Sequence, residues 1–205
     1  MKDLKEYLIT EHYVNCKNQE EMSQYGEIVW NLLQSAYAYC GGIKNVDTVD
    51  ELIADSHLWK LYRKNGEIKA VMTYTDRKGG RKLCLMGSDG SEEGRKQLKR
   101  MLEDDFRLKD RHTWTGASGK AAITALKHGG IPIPAAIACD LMNAAKPGLC
   151  KPYDDWWYER PLKGEDGKTE VHYKLLLGNP PGYENFEAPK ELVDMLIKQA
   201  EEFGA

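Results

Sequence analysis

The chain has 205 residues, of which 41% are hydrophobic and 30% are charged. These fractions are typical of a globular protein with a buried core and exclude the disordered and fibrous classes. The 29 basic and 32 acidic side chains give a net charge of −3, so no global field would draw the chain to nucleic acid or to an anionic membrane. The length predicts a main domain over residues 24–178, with an N-terminal extension (1–23) and a C-terminal linker and helix (179–205).

The first residues of the chain and the spacing of its cysteines bear on where in the cell the protein is expected. Four of residues 1–6 are charged, and no run of about 18 apolar residues occurs in the sequence, so we expect neither a signal peptide nor a membrane span. The five cysteines are widely spaced and form no C-x-x-C pair, which predicts reduced thiols. Cys150, between a glycine and a proline, is expected to be accessible. A cytoplasmic protein is the resulting expectation.

The first half of the chain predicts two helices and a three-stranded meander. Apolar spacing over residues 24–39 predicts an amphipathic helix that ends at Gly41 and Gly42. A short second helix is predicted over residues 47–55. Strands are then expected over residues 58–63, 68–74 and 81–86.

The strongest signal in this half is the hairpin turn. Asn65-Gly66 stands between two runs of alternating apolar residues, which is typical of a two-residue hairpin. The strand over residues 81–86 follows a polar turn and is predicted to extend the same antiparallel sheet.

The second half predicts helices alternating with strands. Helices are expected over residues 92–106, 119–128, 135–145 and 189–203. A fourth strand is expected over residues 112–117, whereas the prolines of residues 131–134 exclude a central strand there. Residues 156–160 and 170–177 flank the glycine-rich segment 163–168 and predict a second hairpin, which Asn179-Pro180-Pro181-Gly182 closes.

A glycine-bearing turn joins the third strand to the next helix and offers the clearest chemistry. Backbone N–H groups at a helix start, with the helix dipole behind them, suit a pyrophosphate, and glycines allow a close approach. The candidate cofactor-binding residues are Gly87, Ser88, Asp89, Gly90, Ser91, Gly94 and Arg95. The alternative is a simple helix cap from a serine or aspartate of the turn, and the acids Glu92 and Glu93 would repel a phosphate.

The element order resembles that of the GCN5-related N-acetyltransferase (GNAT) fold over roughly residues 25–177. That order is two helices, an antiparallel hairpin, a strand, a glycine turn, an amphipathic helix, and then strand, helix and strand. The resemblance implies an α/β fold class, with a mixed, mainly antiparallel sheet flanked by helices, of the acyl-CoA N-acyltransferase type. In that family the turn binds the pyrophosphate of acetyl-CoA, and the matching positions here are residues 87–95.

The resemblance also implies an activity, the transfer of an acyl group from acetyl-CoA or a related acyl-CoA to an amine on a small molecule or a protein. Such a transfer needs a base for the amine and an acid for the departing thiolate. We name His172 as the candidate base and Tyr158 as the candidate acid, with packing in the second hairpin as the competing role for each. No metal site is expected, because the histidines are isolated in sequence.

Two other functions remain open. The family's turn reads Arg/Gln-x-x-Gly-x-Gly/Ala, whereas this chain has Glu92 at the place of the second glycine, and Ala125 stands where the family commonly has a tyrosine acid. These departures favour a catalytically silent GNAT-like protein that binds or assembles through the aromatic hairpin and the C-terminal helix. The second alternative is an acyltransferase-fold enzyme that modifies a nucleobase through the basic turn Arg77, Lys78, Arg81 and Lys82, although the acidic net charge disfavours nucleic acid as a partner.

Overall fold

The computed structural model describes residues 12–43, 46–77, 80–107, 113–117, 119–145, 147–161, 169–177 and 188–202. Within it the chain forms two units, Met1–Met101 and Leu102–Ala205. The predicted segments 163–168 and 179–182, together with Lys78 and His112, lie outside the described residues. The predicted domain boundaries at residues 23 and 178 stay a prediction.

The first unit contains a four-stranded antiparallel sheet. Its strands, in spatial order, are β1 (His12–Cys16), β2 (Leu58–Lys64), β3 (Glu67–Arg77) and β4 (Gly80–Ser88). Asn65 and Gly66 have φ values of 54° and 83°, and positive φ at both positions is what a type I′ hairpin turn requires. The predicted hairpin and third strand are therefore confirmed, whereas β1 was not predicted.

Helices of the first unit precede and follow the hairpin. They are α1 (Gln19–Ser23), α2 (Gly26–Tyr37) with a 3-10 turn (Ala38–Cys40), α3 (Val49–Asp55) and the beginning of α4 (Glu92–Arg107). The 3-10 turn ends at Gly41, whose φ of 84° is the left-handed conformation that glycine adopts readily. The helices predicted over residues 24–39, 47–55 and 92–106 are confirmed, and α1 was not predicted.

The sheet of the first unit is covered on both faces. Trp59 and Leu61 of β2 are buried in one cluster with Val29 and Leu33 of α2. Successive side chains of a strand point to opposite faces, so Tyr62 lies on the other face. There its hydroxyl donates a hydrogen bond of 3.0 Å to Glu93 of α4. The sheet therefore lies between α2 and the start of α4.

The second unit is also built on antiparallel strands. They are β5 (Thr113–Ala117), β6 (Ile131–Pro132), β7 (Lys151–Pro152), β8 (Trp157–Pro161) and β9 (Thr169–Leu177). Strand β9 pairs with β5, β6 and β8, and β7 pairs with β8. The pairing of β8 with β9 confirms the second hairpin. Only the two residues of β6 pair with β9, as expected for a segment interrupted by prolines.

Three helices complete the second unit: α5 (Gly119–Lys127), α6 (Ala135–Ala145) and α7 (Lys190–Glu202). Leu196 and Ala200 of α7 are fully buried. The indole N–H of the buried Trp157 in β8 donates a hydrogen bond of 2.8 Å to Gln199 of α7. The final helix is therefore part of the core of this unit.

The fold class predicted from the sequence is confirmed. The strand pairs inside each unit are antiparallel, helices cover the sheet of the first unit, and from α2 onward the elements follow the predicted order. In the part of the chain that the structure describes, no helix is long and apolar enough to cross a membrane.

The prediction of an accessible Cys150 is wrong. Its side chain is 6% exposed and packs with Cys139 and Tyr158. The Asn143 amide group fixes the backbone, because Oδ1 accepts from the Cys150 N–H at 3.1 Å and Nδ2 donates to the Cys150 carbonyl at 2.8 Å. A glycine and a proline nearby predict a loop, but this loop folds inward on α6.

Candidate functional site

The candidate site is the turn between β4 and α4 in the first unit. Strand β4 ends at Ser88, which lies opposite Ala70 of β3, and α4 begins at Glu92. Between them Gly90 has a φ of 81°, and no atom lies within 4 Å of the position that a Cβ would take. The strand, glycine turn and helix start expected from the sequence are therefore all present.

The carboxylate of Asp89 accepts a hydrogen bond from one of the backbone donors of this turn. Its Oδ1 accepts the Ser91 amide at 3.0 Å and the Ser91 hydroxyl at 2.5 Å. The Ser91 Oγ in turn accepts the amide of Gly94 at 3.0 Å. Ser91 is thus the N-cap of α4, and an aspartate stands where an external anion would bind. The helix cap that was the alternative interpretation is present.

A lysine neutralises this internal anion. The Lys69 ammonium lies 3.0 Å from Asp89 Oδ2 and 2.6 Å from Glu67 Oε2. Burial raises the pKa of Asp89, but hydrogen bonds from Ser91 and Lys69 outweigh it and leave that pKa below its usual value. Hydrogen bonds to Glu67 and then to Asp89 raise the pKa of Lys69. Both groups of the pair are therefore charged at neutral pH.

Two of the three candidate glycines lie against protein atoms. A Cβ on Gly87 would lie 2.8 Å from the Cβ of Ala36, so the absence of a side chain lets α2 pack on β4. A Cβ on Gly94 would lie 2.5 Å from the Lys69 carbonyl oxygen and closer still to Asp89 Oδ1. Gly90 is the candidate glycine with open space around it.

Arg95 is the cation next to this open glycine. Its guanidinium Nη1 donates a hydrogen bond to the Gly90 carbonyl, and the side chain is exposed. The structure therefore brings Arg95 onto the turn, as the sequence predicted for a positive charge near a diphosphate.

The proposed acid and base lie in the second unit. Tyr158 of β8 and His172 of β9 are directly opposite each other in the strand register. Tyr158 is 1% exposed and packs with Ile133 and Ala138. Ala125, at the family's tyrosine position, is 2% exposed in α5. The hairpin thus makes neighbours of the two residues that the sequence singled out, and their catalytic roles stay a prediction.

Sequence analysis missed Lys69 as a residue of the site. The signal for it was the predicted hairpin, since extending the sheet antiparallel brings the start of β3 beside the end of β4. In the observed register Ala70 pairs with Ser88, and the Lys69 carbonyl accepts the Asp89 amide at 3.0 Å.

Comparisons with known proteins give matches among solved structures. No family model and no curated protein matches the sequence. The chain is similar to an IAA acetyltransferase from Bacillus cereus, at 11% identity and a TM-score of 0.41. It is also similar to an acyl-CoA N-acyltransferase from Pseudomonas aeruginosa, at 13% and 0.45, and to Escherichia coli ElaA, at 16% and 0.42.

Each of these matches covers 82% of this chain and 99% of the other. Identities and TM-scores of this size carry no argument about substrate or catalysis. The element order and the antiparallel pairing within each unit are observed in this structure and do not depend on these matches. From α2 onward, that order of elements is the one predicted from the sequence.

Proposed function

We propose that the chain is an N-acyltransferase of the GNAT-like type, which takes an acyl-CoA and transfers the acyl group to an amine. The observation that supports this proposal is the strand–turn–helix unit of β4 and α4, with the open Gly90 and the adjacent Arg95. A diphosphate at the start of the 16-residue helix α4 would meet the positive end of its dipole.

The bound diphosphate would have to displace the carboxylate of Asp89 from the Ser91 amide. Two anions cannot share one amide donor, and they repel each other by about 1 kcal/mol at roughly 4 Å even in water. Lys69 would then hold the displaced carboxylate. We therefore expect weak cofactor binding in this chain, with acetyl-CoA as the first donor to test.

The reaction would join the amine nitrogen to the thioester carbonyl carbon and break the bond from that carbon to sulfur. A base takes the proton that the amine loses, and the thiolate of CoA takes up a proton as it leaves. We assign the base to His172 and the acid to Tyr158, an assignment supported by their pairing across β8 and β9. The acceptor would be a small-molecule or protein amine, and the setting the cytoplasm.

A thiol-release assay tests the proposal. The chain is incubated with acetyl-CoA and a panel of small and peptidic amines, and free CoA is measured. The test variant is Gly90→Glu, which places a second anion on the open turn. The control is Gly148→Glu, because Gly148 has a φ of 73° and is equally open. We expect similar thiol release from the unmodified chain and the control, and slower release from Gly90→Glu. Equal rates of thiol release by Gly90→Glu and Gly148→Glu would contradict the assignment of the cofactor site to the turn at Gly90.

A second candidate function is favoured by the occupied turn itself. Because Asp89 and Ser91 satisfy each other, the domain is complete without a cofactor and would serve as a catalytically silent binding or assembly protein. Absence of both CoA binding and thiol release from any amine would favour this function over the transferase.

A further inference from the structure

An exposed cationic face runs along the first half of α4. Four basic residues within six positions carry it, namely Arg95, Lys96, Lys99 and Arg100, and all four are exposed. Residues four apart lie above one another on a helix, so these side chains form two adjacent rows. At 1.5 Å per residue the rows extend over about 7.5 Å of the helix axis.

The charges around this face are mixed along the helix. The pairs Arg95 with Lys99 and Lys96 with Arg100 place like charges at i and i+4, where they repel, while Glu92, Glu103 and Asp104 stand four residues from Lys96, Lys99 and Arg100. Arg95 also lies in the first turn of α4, where the helix dipole favours anions. Within the described residues, no carboxylate is in ion-pair contact with Lys99 or Arg100. The positive charge of this face is therefore available to an anionic partner.

The basic turn considered in the sequence is less available. The Arg81 guanidinium forms two bonds with the Asp76 carboxylate, of 2.6 Å from Nε and 3.0 Å from Nη2. A bidentate pair of this kind already uses the fork that would bind a phosphate. The cationic face of α4 is thus the better candidate for a polyanion.

We propose that this face binds the phosphate backbone of duplex nucleic acid. The proposal goes beyond acyl transfer and needs no acyl-CoA. It rests on charge complementarity, because four cations on one short surface match a backbone with one negative charge per about 1.7 Å of duplex. With a net charge of −3 the whole chain provides no long-range attraction, so the contact is local and salt-sensitive.

The composition of the exposed surface favours a duplex over other polyanions. The exposed residues of α4 with described side chains are the four cations together with Glu92 and Asp104, while Met101 and Leu102 are buried. A membrane-surface helix needs apolar residues to insert beside its cations, and single-strand binding uses aromatic side chains for stacking. This face offers neither. It therefore fits backbone contacts that position a duplex without reading its sequence.

Fluorescence anisotropy of a short labelled duplex DNA, titrated with the full chain over a range of salt concentrations, tests the proposal. The test variant is Lys96→Glu/Lys99→Glu/Arg100→Glu, which leaves Arg95 and the turn unchanged. The control is Lys127→Glu/Lys190→Glu/Lys198→Glu, which makes the same charge change at exposed residues of α5 and α7. Lys99→Glu turns a repulsive pair with Arg95 into an attractive one, whereas the triple change also places glutamates four residues from Glu92, Glu103 and Asp104.

For the test variant we expect about tenfold weaker binding or more, and a salt slope smaller by about 2 to 3, since each neutralised phosphate contributes about 0.9. The control should keep the slope of the unmodified chain. Should the test variant fail to fold, the glutamine triple variant at the same positions gives the same comparison.

Failure of the unmodified chain to bind duplex DNA, or equal losses in both variants, would overturn the proposal. Binding to phosphatidylserine vesicles without binding to DNA would also overturn it. A separate titration with acetyl-CoA reports on the proposed transferase, so failure of one proposal is distinguishable from failure of the other.

Discussion

The ammonium of Lys69 lies 3.0 Å from a carboxylate oxygen of Asp89, and this ion pair ties the turn after β4 to the beginning of β3. The aspartate also caps the turn through Ser91, so one side chain connects the sheet to the start of α4. An aspartate in this position does for the apo turn what a diphosphate would do for a cofactor-bound one. Stability and ligand binding therefore make opposite demands on Asp89.

The first prediction concerns the pH dependence of this contact. The pKa of Asp89 is lower in the folded chain than its usual value, so its contribution is present above the unfolded pKa of about 3.9 and is lost as pH falls through the folded pKa. We expect Asp89→Asn to lower the free energy of unfolding at pH 7 by about 1 kcal/mol, as for loss of part of a helix cap.

Urea unfolding at neutral pH and at a pH below both pKa values measures this difference. The difference between Asp89→Asn and the unmodified chain should shrink in acid. The control is Asp104→Asn, which changes an exposed aspartate of α4. It should change the free energy of unfolding little at either pH. A difference of equal size at both pH values would show that the charge of Asp89 does not matter.

Gly87 provides a prediction about packing rather than ligand binding. Gly87→Ala would push a methyl group to within 2.8 Å of the Ala36 Cβ, and overpacking of this kind lowers stability by about 1–3 kcal/mol. Ala36→Gly alone should also destabilise, by about 1 kcal/mol, through helix propensity. Combined, the two changes should lose less than the sum, because removal of the Ala36 methyl group relieves the clash.

Chemical denaturation of the two single variants and the double variant measures how far the two losses of stability depart from additivity. Additive losses of unfolding free energy would mean that α2 and β4 are not in close contact at Gly87 and Ala36.

Gly94 lies inside a helix, where a change to alanine ordinarily stabilises by up to about 1 kcal/mol. Here the new Cβ would lie 2.5 Å from the Lys69 carbonyl oxygen, which belongs to the backbone and cannot easily move. We expect Gly94→Ala to destabilise the chain by about 1–3 kcal/mol. Thermal unfolding of this variant beside Lys96→Ala, at an exposed position of α4, separates the clash from helix propensity. A raised melting temperature for Gly94→Ala would contradict the geometry.

Two neighbouring residues of α7 test whether the last helix belongs to the fold. Leu196 is fully buried, whereas the side chain of Met195 is 41% exposed. Leu196→Ala should lower the free energy of unfolding by about 2–5 kcal/mol, the usual loss for a buried leucine. Met195→Ala should change it by about 0.5 kcal/mol or less. Equal small effects in denaturation experiments would place α7 outside the cooperative unit.

The predictable parts of the fold are those that local sequence determines. Asn65-Gly66 specifies the hairpin turn by itself, because both residues tolerate positive φ. Strand β1 was missed because its partner is remote, with His12 paired to Arg63. Helix α1 has only five residues, too few for a periodic pattern, although the Asn18 side chain accepts the Glu21 amide at 2.9 Å, a capping signal that the sequence does contain.

The candidate site divides in the same way. The glycines and capping residues of segment 87–95 were enough to predict a helix start after a strand. The roles of individual residues were not predictable, because they depend on partners distant in sequence, such as Ala36 for Gly87 and Lys69 for Asp89. Nor does any local pattern place His172 opposite Tyr158, which follows from the register of β8 and β9.

Calorimetric titration of acetyl-CoA into the full chain, into Asp89→Asn and into Gly90→Glu tests the central claim most directly. The account predicts one-site binding by the unmodified chain, binding about fivefold tighter by Asp89→Asn because roughly 1 kcal/mol of repulsion is removed, and binding about fivefold weaker or more by Gly90→Glu because a similar repulsion is added. Heat from neither the unmodified chain nor Asp89→Asn would contradict it, as would a Gly90→Glu titration indistinguishable from that of the unmodified chain.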